Sequence, residues 1–278
     1  MGIVIGTNPT AMQTLRSLNK TNRTLQSSMV KLSSGMRINS AKDDAAGLGI
    51  SEILRAQVSS LGVASRNSAD AISALQIAES SMNEIHNVLN RMRELAMQSA
   101  SGQLSNQQRG FLDQEMSQLR EEVTRISATT EFNGKVLTNG AFATGASTLT
   151  FQVGTHNTAN DRINVNITTM SATGLAIQTM SLSVQTRAQS ALDVLDAAIN
   201  EVSAQRASLG AMMNRLTITI DNLASAEENV AGANSRIRDV DVGKEMGKMV
   251  SHQILSQAGT SMLTQANSLP QTALALIG

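Results

Sequence analysis

The residues that could do covalent or metal chemistry are few, and their spacing argues against it. His86, His156 and His252 fall in different stretches and share no ligand spacing, so each reads as a surface or interface residue. Asp43 and Asp44 are adjacent carboxylates that could serve acid/base work or hold a cation. A helical pattern begins just after them, and they read as capping acids at the positive end of that helix, with Asn39 or Ser40 as its N-cap. Asp239-Val-Asp-Val-Gly243 opens like a calcium loop but lacks the later ligands and the closing Glu, and it reads as a turn that caps the last helix. No HExxH, GxxxxGK[ST], GxSxG or GxGxxG occurs. The absence of cysteine removes disulfides, thiolate metal sites and a Cys nucleophile together. No catalytic, cofactor-binding or metal residue is assigned, and no cofactor is expected.

Composition narrows the class further. The 278 residues carry a formal charge of +0, which gives no reason to expect nucleic acid or an anionic membrane as a partner. Aromatic residues make up 1%, all of them Phe (Phe111, Phe132, Phe142, Phe151), although enzyme pockets and binding hot spots lean on aromatics. The 15 methionines fit as core filler at helical spacing. The opening Met1-Gly-Ile-Val-Ile-Gly lacks a basic n-region and a small-residue cleavage site, so a cleaved signal peptide is not expected. No window reaches ~18 uninterrupted apolar residues, and no membrane insertion is expected.

What the chain does carry is helical periodicity. Alternate steps of four and three from Ile50 pick out Leu54, Gln57, Leu61, Ala64, Ser68, Ala71, Leu75, Ala78, Met82, Ile85, Leu89, Met92 and Ala96. A 3.5-residue repeat sustained this long marks a helix packed lengthwise in a coiled coil, roughly 70 Å long at about 1.5 Å per residue. A matching seam returns from Ala188 through Leu192, Leu195, Ile199, Val202, Arg206, Leu209, Met213 and Leu216 to Ile237. The polar seam residues Gln57, Arg206, Glu227 and Asn234 cost stability but can fix register. The chain runs out, turns and comes back: an elongated, mainly α, coiled-coil bundle.

Between and around these seams lie shorter elements. After Pro9 the seam Ala11, Leu15, Leu18, Asn22, Leu25, Met29, Leu32 predicts a helix of about 25 residues, stopped at Gly35. Gly47 and Gly49 are expected to permit close backbone approach. The long helix should fray through Ser99, Ser101 and Gly102, and a shorter one follows from the Ser105/Gln108 capping box along Leu112, Met116, Leu119, Val123 and Ile126. Leu149, Phe151, Val153 and Ile163, Val165, Ile167 alternate with polar residues, which predicts a β-hairpin with a polar tip at 154–161. A polar run from Gly174 to Thr186 then leads into the returning helix. From Val242 the final segment is apolar on more than one face, and it stays apolar through Ala273-Leu-Ala-Leu-Ile-Gly278. It should pair with the N-terminal helix and still need partners.

Leu32-Ser-Ser-Gly-Met-Arg-Ile-Asn-Ser-Ala-Lys-Asp-Asp-Ala-Ala-Gly-Leu-Gly-Ile-Ser51 is similar to the N-terminal signature of bacterial flagellin. The resemblance continues at Arg91-Met-Arg-Glu-Leu-Ala-Met-Gln-Ser99, Glu131-Phe-Asn-Gly-Lys-Val-Leu137, Gln205-Arg-Ala-Ser-Leu-Gly-Ala211 and Ala233-Asn-Ser-Arg-Ile-Arg-Asp-Val-Asp241. It closes with Ile254-Leu-Ser-Gln-Ala258 and Met262-Leu-Thr-Gln-Ala-Asn267, leaving about 138–190 unmatched. Blocks at both ends in the right order make this specific.

The resemblance implies a structural subunit that polymerises with itself into the extracellular flagellar filament used for swimming. Residues 1–43 and 238–278 would form an inner-tube helix pair, and 44–237 an outer helical part with the hairpin near 136–170 and no further outer domains. Inner-tube candidates are Leu15, Leu18, Leu25, Met29, Leu32, Met246, Val250, Ile254, Leu255, Met262 and Leu263. Arg91, Leu95 and Glu115 match positions that in related flagellins meet neighbouring subunits and a vertebrate innate immune receptor, with Met92 and Met97 where Val is usual. Off the seam, Ile53, Val58, Ile72, Val88 and Leu95 are apolar and cannot all face the intramolecular partner. Implied partners are hook-associated junction and cap proteins, a cytosolic export chaperone and the flagellar type III export apparatus. Thr144, Ser147 and Thr158 are open to O-glycosylation. A hook–filament junction adapter shares the early signature, and a non-flagellar coiled-coil scaffold would share the seams alone.

Overall fold

A computed structural model describes residues 7–143 and 148–275, with side chains through residue 268. Met1–Gly6, Thr144, Ser147 and the last three residues lie outside the described residues. The order is α1 (Pro9–Ser34), α2 (Ala45–Ala100), α3 (Asn106–Thr129), β1 (Glu131–Phe132), β2 (Lys135–Val136), β3 (Leu149–Gln152), a 3-10 turn (Ala159–Asp161), β4 (Arg162–Val165), α4 (Gln185–Arg238) and α5 (Val242–Ala275). The chain separates into two compact units, Met1–Ala56 with Asn229–Gly278, and Gln57–Glu228.

The larger unit is built on the α2 seam. From Leu61 to Ala96 every predicted seam residue is buried. Ile50, at the head of the seam, is half exposed. On α4, one of the two alternating rows shifts by a residue. Ala188, Leu195, Val202, Leu209 and Leu216 are buried as expected, but their companions are Ala191, Ala198 and Gln205, while Leu192, Ile199 and Arg206 sit half-buried on the flank. The shift follows from a third layer, since Gln205 is buried under the segment leaving β4 and donates to Asn166 O at 2.8 Å. The polar core residue of α4 is therefore Gln205. Arg206 instead pairs with Glu79 of α2 at 2.7 Å.

α3 starts as its residues dictate. Ser105 accepts from Gln108 N and Gln108 accepts from Ser105 N, closing the capping box, an arrangement worth about 1 kcal/mol. The predicted fraying of α2 does not occur at Ser99, which is fully buried and donates to Leu182 O at 2.8 Å. The buried guanidinium of Arg109 then closes the α2–α3 turn, donating to Ser99 O (2.8 Å) and Ser101 O (2.7 Å).

β3 and β4 form the predicted hairpin, pairing Leu149 with Val165 and Phe151 with Ile163, and Val153, Ile163, Val165 and Ile167 are buried. β1 and β2 form a second, smaller hairpin around Asn133-Gly134, whose φ values of 50° and 73° fit a two-residue type I′ turn. The run after β4 is not a surface linker. Met170, Ala172, Leu175, Ile177 and Leu182 are all buried in it. Arg120 donates to Gln178 O and Met180 O, and Leu182 N donates to Asp113 Oδ1. This strap, residues 166–184, completes the core.

In the smaller unit, α1 begins at Asn8, which caps Ala11 N with Pro9 at N1, and it ends at Gly35 with φ 71°, a left-handed turn that favours glycine. The cap of α2 is Asp44, whose Oδ1 accepts from Gly47 N at 2.8 Å, and not Asn39 or Ser40. Those two residues instead donate their backbone N–H groups to Asp43, which holds its carboxyl below the ordinary value. A side chain at Gly47 would collide with Asp44 and Ile38, whereas Gly49 faces open space. Arg37 donates to the terminal carbonyls of α4 at Arg236 and Ile237, and Arg238 bonds Glu52 at 2.6 Å. Asp241 caps α5 through Lys244 N.

Candidate assembly interface

α1 and α5 pack side by side, and the face that α5 turns to α1 carries polar residues among apolar ones. The residues of α5 shielded from solvent step by four and three through Glu245, Met249, His252, Ser256, Gly259, Leu263 and Ala266. Glu245 accepts from Ser28 Oγ at 2.7 Å, Ser256 donates to Asn22 Oδ1 at 2.8 Å, and Asn8 donates to Ala266 O at 2.8 Å. Gly259 lets the helices close in, since a Cβ there would lie 3.1 Å from Leu18 Cδ1. His252 Nδ1 is buried without a hydrogen-bond partner.

A further set of apolar residues of the pair faces outward. On α5, Met246, Val250, Ile254, Leu255 and Met262 are exposed, Met262 at 63%. On α1, Met12, Leu15, Met29 and Val30 are exposed. Of the inner-tube candidates, Leu18, Leu25, Leu32 and Leu263 are shielded within the pair, and the rest present apolar surface to solvent. An apolar face of this kind is what soluble monomers avoid and interfaces use.

Ser28 and then Lys248 hold the Glu245 carboxylate below its ordinary value, and Lys31 adds a smaller electrostatic pull. A carboxylate depressed in the folded state stabilises that state above its unfolded pKa of about 4.3, and the contribution is lost as pH falls through the folded value. Hydrogen exchange of residues 20–32 within assembled protein should therefore accelerate on acidification below about pH 4. Glu245→Gln should flatten that dependence. An identical pH profile in the two proteins would remove Glu245 from the account.

In the larger unit the structure brings two distant candidates together. Arg91 of α2 donates to Glu115 of α3 at 2.8 Å and to Glu94 at 3.0 Å, all exposed, and both acids raise its pKa. Leu95 does not join this surface. Its side chain is 1% exposed and belongs to the core. Of the other off-seam residues, Ile72 and Val88 pack against the core, Val58 is half-buried and Ile53 is 69% exposed. Among the described residues no group of three or more His, Asp or Glu could hold a metal ion.

Residues 5–143 match the model of the bacterial flagellin N-terminal helical region, and 192–277 match that of the C-terminal helical region. The chain belongs to the bacterial flagellin family. It is similar to a flagellin of Halalkalibacterium halodurans (44% identity over 99% of this chain and 100% of the other). It is also similar to the flagellar filament 33 kDa core protein of Treponema phagedenis (42%, over 99% and 100%). A flagellar hook-associated protein of Vibrio parahaemolyticus shares the fold, with TM-score 0.59 at 15% identity over 71% of this chain and all of the other. As a flagellin the chain is a structural subunit of the extracellular flagellar filament, in a short form without variable outer domains.

The polar contacts inside the α1–α5 pair are not legible from the apolar pattern of α5. Their signal is the four-three spacing of Glu245, Met249, His252, Ser256 and Gly259, which sets three polar side chains on one stripe.

Proposed function

We propose that this flagellin polymerises through its terminal helix pair, with 1–43 and 238–278 forming an inner tube and 44–237 the outer part of the filament wall. The observation that carries this reading is the outward apolar face of α1 and α5, which a helical assembly of head-to-tail contacts would cover. The inner-tube candidates named above are the residues that would supply it.

Seeded growth of purified subunits, followed by electron microscopy, tests the reading. Full-length protein should extend seeds into long filaments, and a 44–237 truncation that keeps its helical melting transition should extend none. Growth of the truncation would refute the role of the termini. A terminal pair with its apolar face uncovered has little to hold it, so it is unfolded in the free subunit and folds on the growing end. Hydrogen exchange over 5–35 and 245–275 should be fast in the subunit and slow in the filament; slow exchange in both states would sink this part.

The same reading includes export through the flagellar type III apparatus without a cleaved signal peptide, and a cytosolic chaperone on the C-terminal segment, for which the apolar face of α5 is suited. Hook-associated junction and cap proteins would meet the filament at its ends. A vertebrate innate receptor would meet the exposed Arg91–Glu115 pair. No enzymatic activity is proposed.

A further inference from the structure

Across the pair of α1 and α5 polar residues share the buried stripe with apolar ones. Helices normally join by their apolar stripes and leave polar residues to water. Here three of the seven inward residues of α5 are the polar Glu245, His252 and Ser256, set among Met249, Gly259, Leu263 and Ala266, while Met246, Val250, Ile254, Leu255 and Met262 stay exposed. Rotating α5 by half a turn about its axis would bury Ile254 and Val250 against α1 and free Glu245 to water. Between residues 245 and 256 that alternative would bury two large apolar side chains, Val250 and Ile254, in place of one, Met249.

We propose that the polar contacts Ser28–Glu245, Asn22–Ser256 and Asn8–Ala266 select which face of α5 meets α1, and so keep its apolar face free for neighbouring copies of the chain. The inference rests on the terminal pair being the assembling element. Polar groups inside a helix seam are known to fix alignment at a cost in stability. Three such contacts spread along the pair define both rotation and register. The buried contact weighs most, since Glu245 is an acid held 2.7 Å from the Ser28 hydroxyl. His252, with a buried ring nitrogen left unbonded, shows the same stripe kept polar at a cost. The contacts disfavour a self-satisfied pair that would bury part of the assembly surface within one subunit.

The chain has no cysteine, so paired cysteines report the facing side without background. Leu18→Cys with Gly259→Cys reads the observed face. Leu18→Cys with Ser261→Cys reads the rotated one, because Ser261 is exposed and lies about 200° further round the helix. A disulfide requires Cα atoms within about 7 Å, which separates the two. In full-length protein with Asn22 and Ser28 intact, filaments should give the 18–259 disulfide and at least ten-fold less of the 18–261 product.

In the Asn22→Ala, Ser28→Ala double variant, the 18–261 disulfide should form in the free subunit, and seeded elongation should slow at least ten-fold. Ser28→Thr alone keeps the hydroxyl and should behave as the unaltered chain. A double variant whose free subunits give only the 18–259 disulfide, or neither, overturns the proposal. Failure of the terminal-pair reading itself would show separately, as filament growth by the 44–237 truncation.

Discussion

Replacing Leu95 by alanine is expected to lower the unfolding free energy by about 2–5 kcal/mol, the range for removing a leucine side chain from a packed core. Leu95 is 1% exposed and belongs to the buried core of the larger unit. The lost methyl groups leave a space that two long helices and α3 cannot close without shifting whole turns. Arg91→Ala should leave the unfolding midpoint nearly unchanged, because its pairs with Glu94 and Glu115 are exposed and screened. Urea melts of the two variants side by side would show the contrast, and equal midpoints would contradict it. The comparison also governs any binding experiment on this face. Loss of a partner on Leu95→Ala reports a damaged core, whereas loss on Arg91→Ala with an unchanged melt reports a contact.

Arg109→Ala should be the most damaging single change to a charged residue in the larger unit, at about 3 kcal/mol. The Arg109 guanidinium is buried on three acceptors, Ser99 O, Ser101 O and Asn106 Oδ1. Two of these are carbonyls at the C-terminal end of α2, where a positive charge is favoured and no N–H remains to serve them. Alanine would strand them out of water. Lysine would keep the charge but lose the planar fork, so Arg109→Lys should recover part of the loss. Thermal denaturation followed by circular dichroism would rank the three proteins, and an Ala variant that melts with the unaltered chain would refute the account.

Elements whose residues repeat were legible in the sequence. The α2 seam from Leu61 to Ala96, the Ser105/Gln108 box, the stop at Gly35 and the alternation that builds β3 and β4 each depend on local spacing, and each is found in the structure. Elements set by a third layer were not legible. Gln205 replaced Arg206 in the core because the strap lies over it, and nothing near residue 205 announces the strap. The strap itself reads as a polar run because its buried residues follow no period. Asp44 took the cap from Asn39 and Ser40, four to five residues upstream, because the backbone N–H groups of those two are turned to Asp43 in the linker before α2. The β1–β2 hairpin carried its own sign, Asn133-Gly134, in a stretch too short for alternation to show.

The strap also has a consequence for timing. Ser99, Asp113 and Arg120 are anchors that a chain growing from its N-terminus presents early, yet Leu182 and Met180, which they hold, come some 60 to 80 residues later. Until those residues arrive, α2 and α3 share a core with one wall missing. Contacts this distant along the chain are slow to close, because the intervening loop must surrender its freedom first. A chain delivered end-first therefore remains loosely packed for most of its passage and consolidates only near its completion.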